Sequence, residues 1–337
     1  MSNTNSKKTI LTGDRSTGKL HIGHLLGSLQ NRVRLQEEYN QFILIANVQA
    51  LSDNFDNPQK VKNSIVELLK DYYAVGIDFE KSHIVIQSEV PQIHEMFVYF
   101  SNFVSVQQVA QNPTVKQEMK TKEGFEKSTP LGFFFYPIHQ VADILSVRAD
   151  LVPVGKDQLP MIEETRDIAQ KFDATYNSNI FNLPEALLGV ERNVPGIDGN
   201  EKMGKSLNNA IYLSDSEEEL RKKVFSVYTD PTRVRATDIG HIEGNVAFTY
   251  HDLFNSNLDE VQDLKDRYTK GQVGDVEVKE KLFQAMNEYL TPIREKRNEA
   301  ESKVDQLLNL TMEGTKVAKN RASETLDMMK EVMMIKF

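Results

Sequence analysis

Two histidines three residues apart, His21 and His24, close the run Gly13-Asp-Arg-Ser-Thr-Gly-Lys-Leu-His-Ile-Gly-His24, which carries glycines at 13, 18 and 23. Ile10 and Leu11 before it read as the end of a buried strand, and Leu25 to Leu29 after it continue as a helix. A strand-to-helix turn rich in small residues can cradle phosphate. Glycines let the backbone come close to a ligand, and the free N–H groups that open the helix attract anions. His21 and His24 can share a helical face and donate hydrogen bonds to phosphate oxygens as negative charge builds up. Far downstream, Lys202-Met203-Gly204-Lys205-Ser206 could bring mobile positive charge to the same phosphates. The two segments together point to chemistry on a nucleoside triphosphate.

These residues need a scaffold, and the hydrophobic pattern supplies one. Phe42 to Val48 reads as a strand, and Pro58 to Val75 as a helix with Val61, Ile65, Leu68, Leu69 and Tyr72 at helical spacing, stopped by Gly76. His83 to Gln87 is the next strand, and Pro91 opens another helix. The chain turns polar from Asn112 to Ser128, an insertion that is partly loop, and Leu131 to Leu145 resumes as one apolar helix. Leu151 to Val154 is a short strand, followed by Gly155 and a charged helix from Leu159 to Phe172. Asn193 to Ser206, with three glycines and Pro195, has the composition of a mobile loop. Strands separated by helices imply an α/β fold with a doubly wound parallel sheet. After Ser214 strands give way to helices, the first capped by Asp215 or Ser216.

Composition narrows the function. The 337 residues suffice for about two domains. No cysteine is present, which removes disulfides, thiolate nucleophiles and Cys-based zinc sites. No HExxH pattern occurs, so no protein-bound metal is expected; Mg2+ would arrive with the nucleotide. The apolar runs are too short to span a membrane and the polar N-terminus has no signal-peptide pattern, so the chain reads as cytoplasmic. A net charge of −9 argues against a generally basic nucleic-acid binder but leaves room for a local basic stripe.

The turn from Gly13 to His24 resembles the His-Ile-Gly-His signature of class I aminoacyl-tRNA synthetases, and Lys202 to Ser206 resembles their Lys-Met-Ser-Lys-Ser loop, in the same order. The resemblance implies a Rossmann-like catalytic domain over residues 1–214, with the insertion near 112–145. A helical anticodon-binding domain would follow over 215–337, its last helix packing back. It also implies that an amino-acid carboxylate attacks the α-phosphate of ATP, giving aminoacyl-adenylate and pyrophosphate. Such chemistry rests on positioning and charge stabilisation. His21 and His24 would contact the triphosphate, Lys202 and Lys205 would reach the pyrophosphate, and Arg15, Ser16 and Thr17 would complete the loop over ATP. Gly23, Met203 and Ser206 belong to the same ATP-binding segments. Gly204 stands where the family usually has Ser, a change that adds backbone freedom and removes a hydroxyl.

Tyr136-Pro-Ile-His-Gln-Val-Ala-Asp143 and Val152-Pro-Val-Gly-Lys-Asp-Gln158 sharpen the resemblance to the tryptophanyl-tRNA synthetases. By that likeness Asp143 accepts the indole N–H. An ionised carboxylate suits a ring with one donor and no acceptor, and phenylalanine would leave it unpaired. The other role open to Asp143 is an ion pair with Arg148. Leu11, Gly13, Tyr136, Val152 and Val154 would line the ring. Gly155, Lys156 and Asp157 would form an ATP-contacting turn, Gln158 would touch the amino group, and Val194 would lie against adenine. Gln49 and Gln140 replace a His and a Met of a common bacterial form, which predicts altered inhibitor preference with unaltered substrate.

The likeness further implies a homodimer and tRNA(Trp) as partner. Arg221 to Lys223, Arg233, Arg235 and the Arg294, Lys296, Arg297 run are candidate phosphate contacts, with a solvated helix face as the alternative for each. Val317, Leu326, Met329 and Met333 near the end are expected to pack onto the protein and not onto a membrane. Two other readings stay open. One is a tyrosyl-tRNA synthetase, whose mobile loop often carries Gly at position 204; the other is a catalytically weak tRNA-binding paralogue.

Overall fold

The computed structural model describes residues 7–121, 129–189 and 194–337. Five strands, β1 (Thr9–Asp14), β2 (Asn40–Ile45), β3 (Ser82–Ile86), β4 (Leu151–Val154) and β5 (Glu185–Leu188), form one sheet in the order β3-β2-β1-β4-β5. Every pairing is parallel. Phe42 to Ile45 and Ile84 to Ile86 are buried throughout, as expected of strands covered on both faces. The order reverses at β1, which lies between β2 and β4. In open parallel sheets such a switch point opens a crevice at the carboxyl ends of the strands.

The covering helices are α1 (Ile22–His24), α2 (Gln30–Leu35), α3 (Asn47–Ala50), α4 (Pro58–Val75), α5 (Pro91–Phe100), α6 (Val106–Gln111), α7 (Pro113–Thr121), α8 (Leu131–Phe134), α9 (Tyr136–Ser146) and α10 (Leu159–Tyr176). One π-helical turn, Leu25–Leu29, joins α1 to α2. Asn57 caps α4, and Gly76 ends it at φ 97°.

Three local expectations change. β2 stops at Ile45 instead of Val48, because the side-chain carbonyl of Gln87 accepts from Val48 N and Gln49 N and turns that segment into α3. The helix expected over Leu131 to Leu145 breaks at Phe135. Pro137 has no N–H to continue the ladder of α8 and instead lies in the first turn of α9. β5 was not expected, because Glu185-Ala-Leu-Leu lacks the β-branched and aromatic residues that mark strands. In the polar stretch after Asn112, α7 occupies Pro113–Thr121, and residues 122–128 lie outside the described residues.

The chain continues through α11 (Glu217–Phe225), α12 (Val246–Phe254), α13 (Leu258–Tyr268), α14 (Asp275–Glu301) and α15 (Val304–Val332). Ser216 caps α11 and Glu219 reciprocates, a capping box. α15 runs back along β3. A Cβ on Gly314 would stand 2.7 Å from the Ile84 carbonyl oxygen, and Thr315 Oγ1 accepts from Ile86 N at 3.1 Å, so the helix covers the free edge of the sheet. Leu326 and Met329 are buried in one cluster with Ile93, Met96, Val141 and Leu145, while Val317 is exposed. Among the described residues no helix is long and apolar enough to cross a membrane.

Candidate active site

A cavity of about 650 Å3 opens at the carboxyl ends of β1 and β4. One end is built from the β1–α1 turn. His21 caps α1, its Nδ1 accepting from Gly23 N at 3.2 Å, and His24 Nδ1 accepts from His21 N at 3.2 Å. The two rings lie 3.8 Å apart, so the histidines meet through a reciprocal cap and not side by side on a helical face. Burial, then the neighbouring His24 and Lys205, hold His21 down to about 3; burial, with Lys205 and Arg32, holds His24 down to about 4 against the pull of Asp14. Both imidazoles are therefore neutral near pH 7. A ring nitrogen that accepts carries no proton, so each histidine is left with an Nε2–H donor.

Beneath the histidines, Arg32 donates to Asp14 Oδ2 and to the Gly13 carbonyl, and Tyr72 OH donates to the same Asp14 oxygen at 2.6 Å. Burial alone would raise the Asp14 pKa, but the Arg32 charge and these hydrogen bonds bring it down to about 2. Two of the turn's glycines serve the protein's own packing. A Cβ on Gly13 would stand 2.4 Å from the Leu44 carbonyl oxygen, and one on Gly23 would stand 2.9 Å from the His21 ring.

Lys202 and Met203 line the cavity, and the downstream loop is clasped by Asn209. Its Oδ1 accepts from Gly204 N at 2.8 Å, and its Nδ2 donates to Asp198 and the Lys202 carbonyl. Lys205 Nζ donates to the Gly18 carbonyl at 2.9 Å, which bridges the loop to the turn. Gly204 is extended, φ −150° and ψ 143°, and a Cβ there would meet Leu207 only at 3.6 Å. This conformation does not require glycine.

The other end of the cavity is lined by Leu11, Leu44, Ala46, Tyr136, Val152 and Val154, with Asp143 set among them. Asp143 is 3 % exposed, and burial pushes its carboxyl up to about 8 despite hydrogen bonds from Gln87 Nε2 at 2.8 and 3.0 Å. Burial therefore works against the ionised form expected of this carboxylate, and the Gln87 amide works for it. Arg148 does not pair with Asp143; it reaches Glu324 at 3.6 Å. Among the described residues, no group of three His, Cys, Asp or Glu side chains could hold a metal.

The comparisons fix the lineage. Residues 3–291 match the family model of class I tRNA synthetases (W and Y). The chain is 44% identical over 336 residues to the tryptophan--tRNA ligase of Clostridium longisporum, covering 98% of each. It is 47% identical over 335 residues to that of Streptococcus pneumoniae serotype 4, covering 97% of this chain and 98% of the relative. The solved tryptophanyl-tRNA synthetase of Campylobacter jejuni, complexed with ADP and tryptophan, superposes with a TM-score of 0.84 at 32% identity, covering 97% of this chain and 99% of that one. The chain belongs to the tryptophanyl-tRNA synthetase family.

Measured against what that family resemblance led us to expect, the cavity gathers most of the candidate residues. Leu11, Gly13, Gln49, Tyr136, Gln140, Asp143, Val152, Val154 and Gln158, expected around the amino acid, all line it. So do Arg15, His21, Gly23, His24, Gly155, Asp157, Val194, Lys202 and Met203 from the nucleotide set. Ser16, Thr17, Gly204 and Lys205 are not in its lining; Ser16 is fully buried behind the turn. Lys156 lines a smaller cavity of about 120 Å3 with Leu188 and Gly189. The side chain of Ser206, and Asn193 at the start of the loop, lie outside the described residues.

Several of the basic residues proposed for RNA are committed elsewhere in this tryptophanyl-tRNA synthetase relative. Arg233 lies over the Tyr268 ring and donates to the Ala236, Asp238 and Val273 carbonyls, and Arg297 is buried against Asp71 and Glu67. Arg221 forms a bidentate pair with Glu280. Arg235 and Lys296 are exposed. Sequence reasoning gave no site role to Asp14, Arg32, Tyr72 or Gln87. Asp14 lies within the phosphate turn and Gln87 at the carboxyl end of a strand, two positional signals that were available.

Proposed function

We propose that this chain activates L-tryptophan with ATP and transfers it to tRNA(Trp), working as a cytoplasmic homodimer with Mg2+ carried in on the nucleotide. The observation that carries this reading is a single cavity with neutral N–H donors and lysine at one end and an apolar slot around a buried carboxyl at the other. A tryptophan carboxylate oxygen attacks the α-phosphorus, the α–β phosphoanhydride bond breaks, and pyrophosphate leaves. The Nε2–H groups of His21 and His24 donate to phosphate oxygens as charge develops, and Lys202 and Lys205 neutralise the departing pyrophosphate. Arg15, which is paired with Asp53, and the Gly155 to Asp157 turn bound the nucleotide. Asp143 accepts the ring N–H. Helices α11 to α15 supply the anticodon surface, with exposed Arg235 and Lys296 as its candidate phosphate contacts.

Tryptophan-dependent exchange of pyrophosphate into ATP tests the reading. Exchange with tryptophan alone supports it. Tyrosine dependence would assign the chain to the sister activity, and no exchange with either amino acid would make it a non-catalytic RNA binder. Light scattering of the purified chain tests the dimer.

A further inference from the structure

Behind Asp143 lies a line of polar side chains that none of the roles above uses. Gln87, fully buried, follows the carboxyl end of β3. Its Oε1 accepts from Val48 N and Gln49 N, both at 3.1 Å, so the amide cannot turn over without leaving two backbone donors of α3 unmet. Nε2 must therefore face the other way, and an NH2 group only donates. One N–H is shared between the two Asp143 oxygens, and the other meets His139 Nδ1 at 3.1 Å.

That contact makes His139 Nδ1 an acceptor, so the neutral ring carries its proton on Nε2. His139 Nε2 stands 2.8 Å from His94 Nδ1 and donates to it, and the two rings stack at 5.0 Å. Two backbone N–H groups at one end and a histidine pair at the other thus fix every donor and acceptor in the line. Within the line, Asp143 receives hydrogen bonds from a single group, a neutral amide.

We propose that Gln87 is a specificity-determining positioning residue, with His139 and His94 as its supports: the locked amide holds the Asp143 carboxyl in one orientation, leaving oxygen lone pairs directed at a ring N–H in the slot. This rests on the reading that the slot takes an indole. Without the amide the carboxyl would turn toward whatever donor it could find, and discrimination for the ring N–H would fall while the apolar slot stayed intact.

The test compares the dissociation constants of L-tryptophan and of β-(3-benzothienyl)alanine, a near-isostere with sulfur in place of the ring N–H. The chain contains no tryptophan, so the ligand's own indole fluorescence reports binding, with displacement measuring the analogue. The unaltered chain should prefer tryptophan by about tenfold or more, the scale of one buried hydrogen bond to a charged group. Gln87→Met should cut that preference to about twofold while the analogue's affinity stays within about twofold, which also demonstrates a folded slot. His139→Asn, which keeps an acceptor near the Nδ1 position, should preserve the preference, whereas His139→Leu should lower it about threefold.

Full preference in Gln87→Met, or equal effects of the two His139 substitutions, would overturn the proposal and leave the indole reading standing. Equal binding of both ligands by the unaltered chain would instead overturn the indole reading itself, and the proposal with it.

Discussion

Asp14 and Asp143 are carboxyls that line one cavity, and their environments send them in opposite directions. Asp14 has a guanidinium and a phenol hydroxyl against it and is held near 2. Asp143 has one amide donating to it, with His139 Nδ1 at 3.9 Å, and burial pushes it up to about 8. Burial favours the neutral acid in both cases; a full positive charge outweighs it, and a neutral donor does not. On the proposed function, the charges at the phosphate end are settled in advance, which suits a highly charged ligand, and the one at the amino-acid end is left for an incoming N–H to complete.

The largest effect should come from removing charge at the phosphate end. Lys205→Ala should slow adenylate formation about 10²- to 10³-fold in single-turnover measurements while changing the tryptophan dissociation constant little. Equal activation rates would break the division of labour between the two ends.

Arg32→Met would turn one carboxyl into the likeness of the other. Asp14 would be left buried without its cation, costing about 3 to 5 kcal/mol of stability in denaturant unfolding. The Asp14 pKa should rise. Unfolding free energies within about 0.5 kcal/mol of the parent would show that Arg32 does not compensate Asp14.

The amino-acid end has a pH signature. Donation by the indole stabilises ionised Asp143, so its pKa is lower in the complex than in the free protein, and binding releases a proton in the window between the two. Tryptophan affinity should therefore rise with pH, by at most about tenfold per unit, and level off above about 8. Of the nearby histidines, His139 is held down to about 4, mainly by burial, and burial also lowers His94. Asp143→Asn should flatten the curve. A flat profile for the unaltered chain between about pH 6 and pH 9 would remove the contrast between the two carboxyls.

Gln49→His should produce the smallest change, a shift in the ranking of indole-analogue inhibitors at constant tryptophan specificity. Identical inhibition profiles would show that this edge of the cavity plays no part in inhibitor preference.

Much of the fold was legible because its signals are local. The apolar runs of β1 to β4, the Pro58 start and Gly76 stop of α4, and the Ser216 cap all act within a few residues of themselves. The exceptions depend on partners distant in the chain. Val48 is strand-like by type yet opens α3 because Gln87, 39 positions away, accepts its N–H. The glycines of the phosphate turn look like ligand clearance, but positions 13 and 23 are needed by Leu44 and the His21 ring. Arg233 and Arg297 look like phosphate contacts by charge, and only packing reveals that their partners are inside the protein.

By itself the sequence determined the class of chemistry, since residue types at short spacing set what a turn, a cap or a lysine loop can do. The tertiary structure decided protonation. His21, His24 and Asp14 are shifted down and Asp143 up, because a side chain's pKa depends on burial and on charges brought near by distant segments, which no local spacing encodes.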